Sequence, residues 1–388
     1  MKRVKFSAIA RFAQAIAFVF LGALLFASCA AVKPVVETQE KEVKTPPKKS
    51  EVSFVAVGDN LIHKPIINAA KISGENEYDF KPIYSEIRSV IQSADLAFIN
   101  QETLVAGEKF GYSGYPQFNG PFAIGEAIID TGFKVINHAT NHAYDKGKDA
   151  ILKTIENYKK YNDILLLGIH ASLVDRIKDR IVTINGISIG FLSYAYGLNG
   201  FILPENAPYL VSLIDKDVMK KEIESLRPKC DFLIVSTHWG EEYKYKPNKE
   251  QEKLALFFAD LNVDLVIGHH PHTLESVKWV EGKDKNKTLV YYSLGNFLSA
   301  QNKTPRMLGG MANMVIKKDG AKTYIENPKL TPLITHYNQN FSDFKVYLLK
   351  DYNENLSKKH RLYNREKDFN LAEINDLFAA IVSSEFRE

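Results

Sequence analysis

The most constraining feature of this chain is an alternation of short apolar runs with amphipathic stretches of helical length. β-rich runs fall at 52–57, 94–99, 133–137, 163–168, 232–237 and 263–267. Helix-like stretches lie at 81–92, 122–131, 147–161, 215–226 and 249–261. Strands separated by helices of this length build α/β layers, since each apolar sheet face must be covered before it meets water. Hairpin signals interrupt the alternation at 181–191, around Asn185-Gly186, and at 312–324, around Asp319-Gly320. Such dipeptides supply the positive φ angles of tight turns. Residues 274–297 read as a further strand pair. A purely parallel sheet cannot hold these hairpins, so the expected class is α/β with mixed sheets.

A chain of 388 residues, 45% hydrophobic and 25% charged, has enough apolar material for one large domain or two smaller ones. The formal charge of +4 comes from the N-terminus, where residues 1–28 hold Lys2, Arg3, Lys5 and Arg11 and no acid. Beyond them basic and acidic residues balance, which removes the electrostatic footprint of a nucleic-acid binder. The cationic start is followed by an apolar run from Phe12 to Phe26, short for a membrane span. That run ends in Phe26-Ala27-Ser28-Cys29, which resembles a lipoprotein box in which Cys29 is lipidated. The expected organisation is a signal peptide at 1–28, a solvated Lys/Glu/Thr/Pro-rich tether at 29–50 and a folded domain at 51–340. A charged, partly helical extension follows at 341–388. The expected location is extracytoplasmic, anchored to membrane lipid through Cys29. Cys230 is then left without an intramolecular partner and reads as a buried thiol.

The residues that close each apolar run carry the chemistry. One run ends in Gly58-Asp59, another in Asn100-Gln101-Glu102, and a third leads into Asn137-His138-Ala139-Thr140-Asn141-His142 with Asp145 beyond. The later runs end in Thr237-His238-Trp239-Gly240-Glu241 and in Gly268-His269-His270-Pro271-His272. Loops at the carboxyl ends of strands are where open α/β sheets bind ligands. Of the ten histidines, His138, His142, His238, His269, His270 and His272 lie in these loops, which a solvated face does not require. Asp59, Glu102, Asn141, His238, His270 and His272 are the candidate metal ligands. Imidazole nitrogen with carboxylate and amide oxygen, and no thiolate, suits a divalent Mn, Zn or Fe ion. A bridging carboxylate would allow two ions about 3.5–4 Å apart, which suits attack of water on phosphorus.

In order, the motifs are Gly58-Asp59, Asn100-x-Glu102, Asn141-His142-Ala143-x-Asp145-x-Gly147 and His238-Trp239-Gly240-x-Glu242-Tyr243. Gly268-His269-His270-Pro271-His272 and Tyr292-Ser293-Leu294-Gly295-Asn296-Phe297 follow. The set resembles the CapA family of poly-γ-glutamate capsule biosynthesis proteins, related to the calcineurin-like metallophosphoesterases. The resemblance spans about 52–300 and implies a metallophosphoesterase-like α/β/β/α sandwich with metals at the loop ends. It implies that Asp59 serves a first metal with His272, Glu102 bridges, and Asn141, His238 and His270 hold a second. His142 would be the imidazole that contacts substrate or protonates a leaving group, oriented by Asp145. Asn296 would line the pocket, and Glu241 and Glu242 would bind substrate amines.

The chain departs from the phosphoesterase pattern twice. The first strand end reads Asp59-Asn60-Leu61, without the usual Asp-x-His, and His63 either takes that place or lies at the surface. The second carboxylate is Glu102 where the superfamily has Asp. Both departures fall on the first metal, leaving one nearly complete site and one poorer one. Three functions are compatible with this pattern. The first is synthesis or export of an extracellular anionic polymer such as poly-γ-glutamate, beside a membrane-bound synthase or exporter. The second is a metal-dependent phosphoesterase or amidase acting on the cell envelope. The third is a non-catalytic binding module stabilised by metal.

Overall fold

In this computed structural model residues 50–72, 77–367 and 369–388 are described; the expected signal peptide, Cys29 and the expected tether up to residue 49 lie outside them. Among the described residues no helix is long and apolar enough to cross a membrane. The chain first lays down four strands, β1 (Ser50–Asn60), β2 (Leu96–Gln101), β3 (Val135–Asn137) and β4 (Leu165–Leu167). They pair in parallel, in sequence order. Parallel neighbours need a crossover. Helices Ser85–Ser93, Ala123–Thr131 and Gly147–Tyr158 lie in those crossovers, close to the stretches expected from periodicity.

A second sheet follows from β5 (Ile181–Ile184), β6 (Ile187–Ala195), β7 (Phe232–His238), β8 (Leu265–His269), β9 (Val277–Glu281) and β10 (Lys287–Tyr291). Its order is β5-β6-β7-β8-β10-β9, parallel at its centre and antiparallel at both edges. The chain then returns with β11 (Asn296–Leu298), β12 (Leu308–Asp319), β13 (Lys322–His336) and β14 (Lys345–Leu348). The first sheet thus reads β14-β13-β12-β1-β2-β3-β4, with β11 beside the end of β1. The expected hairpins form where the turn residues allow. Asn185 and Gly186 take φ +50° and +79° between β5 and β6, and Gly320 takes φ +63° between β12 and β13.

Side-chain parity sets the layers, because alternate residues of a strand face opposite ways. Along β7, Phe232 and Ile234 join the core shared with the first sheet, while Leu233 and Val235 join a second cluster. β8 repeats the division, with Leu265 and Ile267 inward and Val266 outward. The outer cluster is closed by Met219 and Ile223 of helix Lys216–Leu226 and by Leu254 and Phe258 of helix Lys249–Asp260. On the first sheet, helix Ser85–Ser93 buries Ile87 and Ile91 in the main core. The result is an α/β/β/α sandwich with two mixed sheets. Residues 341–388 carry a strand as well as helices. β14 extends the first sheet, and helix Leu371–Ile381 buries Ile374 and Phe378 in the main core.

Candidate metal centre

Because β1, β2 and β3 are parallel, their carboxyl ends open on one edge, and β7 and β8 of the second sheet deliver theirs to the same place. Asp59, Glu102, Asn141, His238, His270 and His272 meet there, and all six are buried. Nδ1 of His272 lies 3.1 Å from Oδ2 of Asp59, and its Nε2 lies 3.9 Å from Oε1 of Glu102. Nε2 of His238 lies 3.6 Å from the same Glu102 oxygen and 2.8 Å from Oδ1 of Asn141. The rings of His238 and His270 are 4.9 Å apart. Two triads have ligand atoms within 4.8 Å of one another: Asp59, Glu102 and His272, and Glu242, His270 and His272.

Backbone geometry explains how side chains from distant segments come so close. A Cβ on Gly58 would meet the Gly295 carbonyl oxygen at 1.9 Å, and one on Gly268 would meet the Tyr292 oxygen at 1.9 Å. The strip Tyr292–Asn296 therefore lies directly against β1 and β8. Asp59 N–H donates to Gly295 (2.9 Å), and Leu294 N–H donates to Gly268 (3.1 Å). His270 and His272 both take left-handed backbone, φ +98° and +59°, on either side of Pro271. Such conformations cost about 1–3 kcal/mol each for non-glycine residues and persist where the surroundings over-determine them. A ladder of amides supports the first carboxylate: Asn137 Nδ2 donates to Asn100 Oδ1 (2.7 Å), and Asn100 Nδ2 donates to Asp59 Oδ1 (2.8 Å).

The electrostatics of the cluster favour a cation. Both oxygens of Glu102 are buried without a hydrogen-bond partner. Burial pushes its carboxyl well above the usual range, the charge of His272 opposes, and the Asp59 carboxylate adds to the rise. Burial also works against ionised Asp59, but the hydrogen bond and charge of His272 outweigh it and hold that carboxyl below its ordinary value. His272 goes the other way. Burial disfavours its charged ring, yet Glu102 and Asp59 push it up to about 9. Burial takes His270 down to about 4, and burial with the neighbouring His270 ring takes His238 well below its ordinary value. Nδ1 of His238 and Nδ1 of His270 have no partner either. Buried polar atoms left unpaired are costly and call for a reason. Neutral imidazoles with free lone pairs around an unpaired carboxylate fit a divalent cation.

Beside this cluster, His142 Nδ1 lies 2.7 Å from Oδ2 of Asp145, which also accepts from the Phe118 N–H at 2.6 Å. The ring of Phe118 meets His142 edge-on at 4.6 Å. Asp145 thereby fixes the imidazole through Nδ1 and leaves Nε2 to exchange a proton. The two expected amine-binding glutamates diverge. Exposed Glu242 joins the triad with His270 and His272, whereas exposed Glu241 accepts from Asn248 Nδ2 at 3.4 Å. Asn296 does not offer its amide to an open pocket. Its Oδ1 sits 3.0 Å from His272 Nδ1, and its Nδ2 meets Gln301 (3.0 Å) and the Arg306 carbonyl (2.9 Å). That makes it a support for His272. His63 belongs to neither triad; its Nδ1 faces the Leu61 carbonyl at 3.1 Å and the Ala300 N–H at 3.3 Å.

Three supporting residues had no ligand role in the motif reading. His269 Nδ1 lies 3.6 Å from Asp59, and Asn100 bonds the same carboxylate. Asn199 accepts from Asn141 Nδ2 at 3.0 Å and lies 3.3 Å from His142 Nδ1. The first two stand inside quoted motifs and were open to inference. Asn199 stands four residues after the end of β6, outside every quoted motif.

Fold and site together define a two-sheet α/β protein with a histidine–carboxylate centre at its strand ends. The chain belongs to the family described as bacterial capsule synthesis protein PGA_cap, whose profile matches residues 53–301. It is 27% identical over 329 residues to the PGA biosynthesis protein CapA of Bacillus subtilis, covering 83% of this chain and 79% of that protein. It is 33% identical over 184 residues to the capsule biosynthesis protein CapA of Bacillus anthracis, covering 46% of this chain and 43% of that one. Among solved structures it is similar to the NAD nucleotidase of Haemophilus influenzae (TM-score 0.47, 11% identity, 87% of this chain and 64% of that chain). It is also similar to the calcineurin-like phosphoesterase YfkN of Bacillus subtilis (TM-score 0.41, 11% identity, 86% and 99%).

Proposed function

We propose that this protein acts outside the cytoplasm, held to the membrane by lipid on Cys29, in the synthesis or export of an anionic polymer such as poly-γ-glutamate. A membrane-bound synthase or exporter would be its partner. The observation that carries this reading is Glu102, buried without a hydrogen bond beside the histidines of the centre, in a chain of the capsule-synthesis family. The residues fit Mn, Zn or Fe. Asn141, His238 and His270 with Glu102 would hold one ion, and Asp59, Glu102 and His272 a second. When bound, a divalent cation would supply Lewis acidity toward a phosphoryl or carbonyl oxygen. His142, fixed by Asp145, would hold or deliver a proton at Nε2, and Phe118 would shield its ring from water.

The test replaces His238 with Ala in the producing cell and measures surface polymer. Loss of polymer with normal protein level is the expected result; unchanged polymer removes the role. The His142–Asp145 contact at 2.7 Å favours a second reading, a metal-dependent phosphoesterase or amidase of the envelope. Metal-loaded protein would then turn over an aryl phosphate or polyglutamate. His142→Ala would lower the rate about 10²–10⁴-fold, the range of a lost general acid. Bound metal with no turnover of either compound eliminates the hydrolase.

A further inference from the structure

A cavity of about 400 Å³ is lined by His63, Tyr243, Arg306, Phe341, Arg361 and Arg365 among others. Its link to the centre runs through Tyr243 and Arg306. The Tyr243 and His272 rings are 6.1 Å apart, and the Arg306 carbonyl accepts from Asn296, whose Oδ1 contacts His272. Cζ of Arg306 lies 3.5 Å from the centroid of the Tyr243 ring, and Cζ of Arg361 lies 4.0 Å from that of Phe341. Stacking holds a guanidinium flat while leaving its N–H edges for an oxyanion. Arg361 spends one donor on the Gln339 carbonyl. Among the described residues, the side chains of Arg306 and Arg365 make no hydrogen bond, and none of the three arginines is in an ion pair. Among the described residues the one acid in the lining, Glu366, is occupied by Lys303 at 2.7 Å. Three unneutralised cations around one cavity repel one another and are stabilised by bound anion.

We propose that Arg306, Arg361 and Arg365 form a binding subsite for a polycarboxylate chain, placing one of its groups beside the metal centre. The proposal deepens the anionic-polymer reading above and rests on it for the identity of the ligand. The cavity exceeds what one inorganic anion fills, and three guanidiniums, Arg306 from the short helix Thr304–Arg306 and Arg361 and Arg365 from the turn at 361–365, offer separate forks for groups repeated along a chain. All three lie beyond residue 301, where the family match ends, and Arg361 and Arg365 come from the segment beyond residue 340. That segment thus supplies a wall of the site.

The test measures binding of a fluorescent γ-linked glutamate oligomer to the full-length protein by anisotropy, and of Mn²⁺ by calorimetry. Each arginine lost should weaken oligomer binding about tenfold, the effect of removing one charge-assisted contact. R361A/R365A should therefore bind about 100-fold more weakly, with Mn²⁺ affinity unchanged and with partial recovery in R361K/R365K. His238→Ala should lose Mn²⁺ yet keep the oligomer. Wild-type affinity in R361A/R365A overturns the subsite. Arginine-dependent binding of polyphosphate without binding of the glutamate oligomer overturns the carboxylate assignment. If His238→Ala leaves cellular polymer unchanged while arginine-dependent binding persists, the biosynthetic role fails and the subsite stands.

Discussion

At the scale of single residues, Glu102 is the group whose burial most needs a reason. It is buried and makes no hydrogen bond, and burial raises its carboxyl well above the usual range. A folded-state value raised above the unfolded one means stability that is lost as pH rises, so at neutral pH this carboxyl opposes folding. Glu102→Gln should raise the stability of metal-free protein by about 1–3 kcal/mol and abolish its stabilisation by Mn²⁺. Thermal melts with chelator and with Mn²⁺ check both halves; a variant still stabilised by Mn²⁺ contradicts the ligand assignment. The neighbouring glutamates give a second comparison. Only Glu242 joins His270 and His272, while Glu241 contacts Asn248. Glu242→Ala should weaken Mn²⁺ binding by about tenfold, and Glu241→Ala should leave the calorimetric isotherm unchanged. Equal effects would show that the loop does not hold the two side chains apart.

At the scale of elements, the tie between the loop after β8 and helix Lys249–Asp260 has a pH signature. Asn248 and Gln251 form a capping box at the helix start, and Gln251 Nε2 donates to Glu275 Oε2 at 2.6 Å. Burial pushes the Glu275 carboxyl up to about 7, with the Gln251 bond opposing. The raised value sets the sign. Its contribution is fully present below the unfolded value near 4.5 and is lost as pH rises through about 7. Urea unfolding from pH 5 to 8 should therefore show a decline on the order of 2–3 kcal/mol that Glu275→Gln flattens. Parallel wild-type and variant profiles would locate the pH dependence elsewhere.

Elements were also where the sequence was most readable. Runs such as Leu233–Val235 and Leu265–Ile267 are apolar on both faces, because each strand is sandwiched between the other sheet and helices. Asn185-Gly186 marked its turn for the same stereochemical reason that it forms one. The site residues at the ends of these runs were readable because a strand must end where its polar residues begin. What the pattern did not contain was direction. Whether Glu241 or Glu242 turns inward depends on a loop where Tyr243 takes φ +67°. Asn199 and Phe118 reach the site across long sequence separations that no local period records. The left-handed turns at His270 and His272 are fixed by packing against the strip Tyr292–Asn296, not by local preference.

At the scale of the whole molecule, the two sheets are a clamp whose parallel strand ends bring five segments to one point. The chain beyond residue 340 adds cationic side chains at its rim. The proposed function depends on a cation bound between the sheets, with Glu102 shared between the histidines of β7 and of the loop after β8. The most direct measurement is anomalous diffraction at the manganese edge from crystals soaked in Mn²⁺. A peak in contact with Glu102 and flanked by His238, His270 or His272 is the expected result. Full Mn²⁺ exposure with no peak at Glu102, or with peaks only at surface carboxylates, would contradict the metal centre itself.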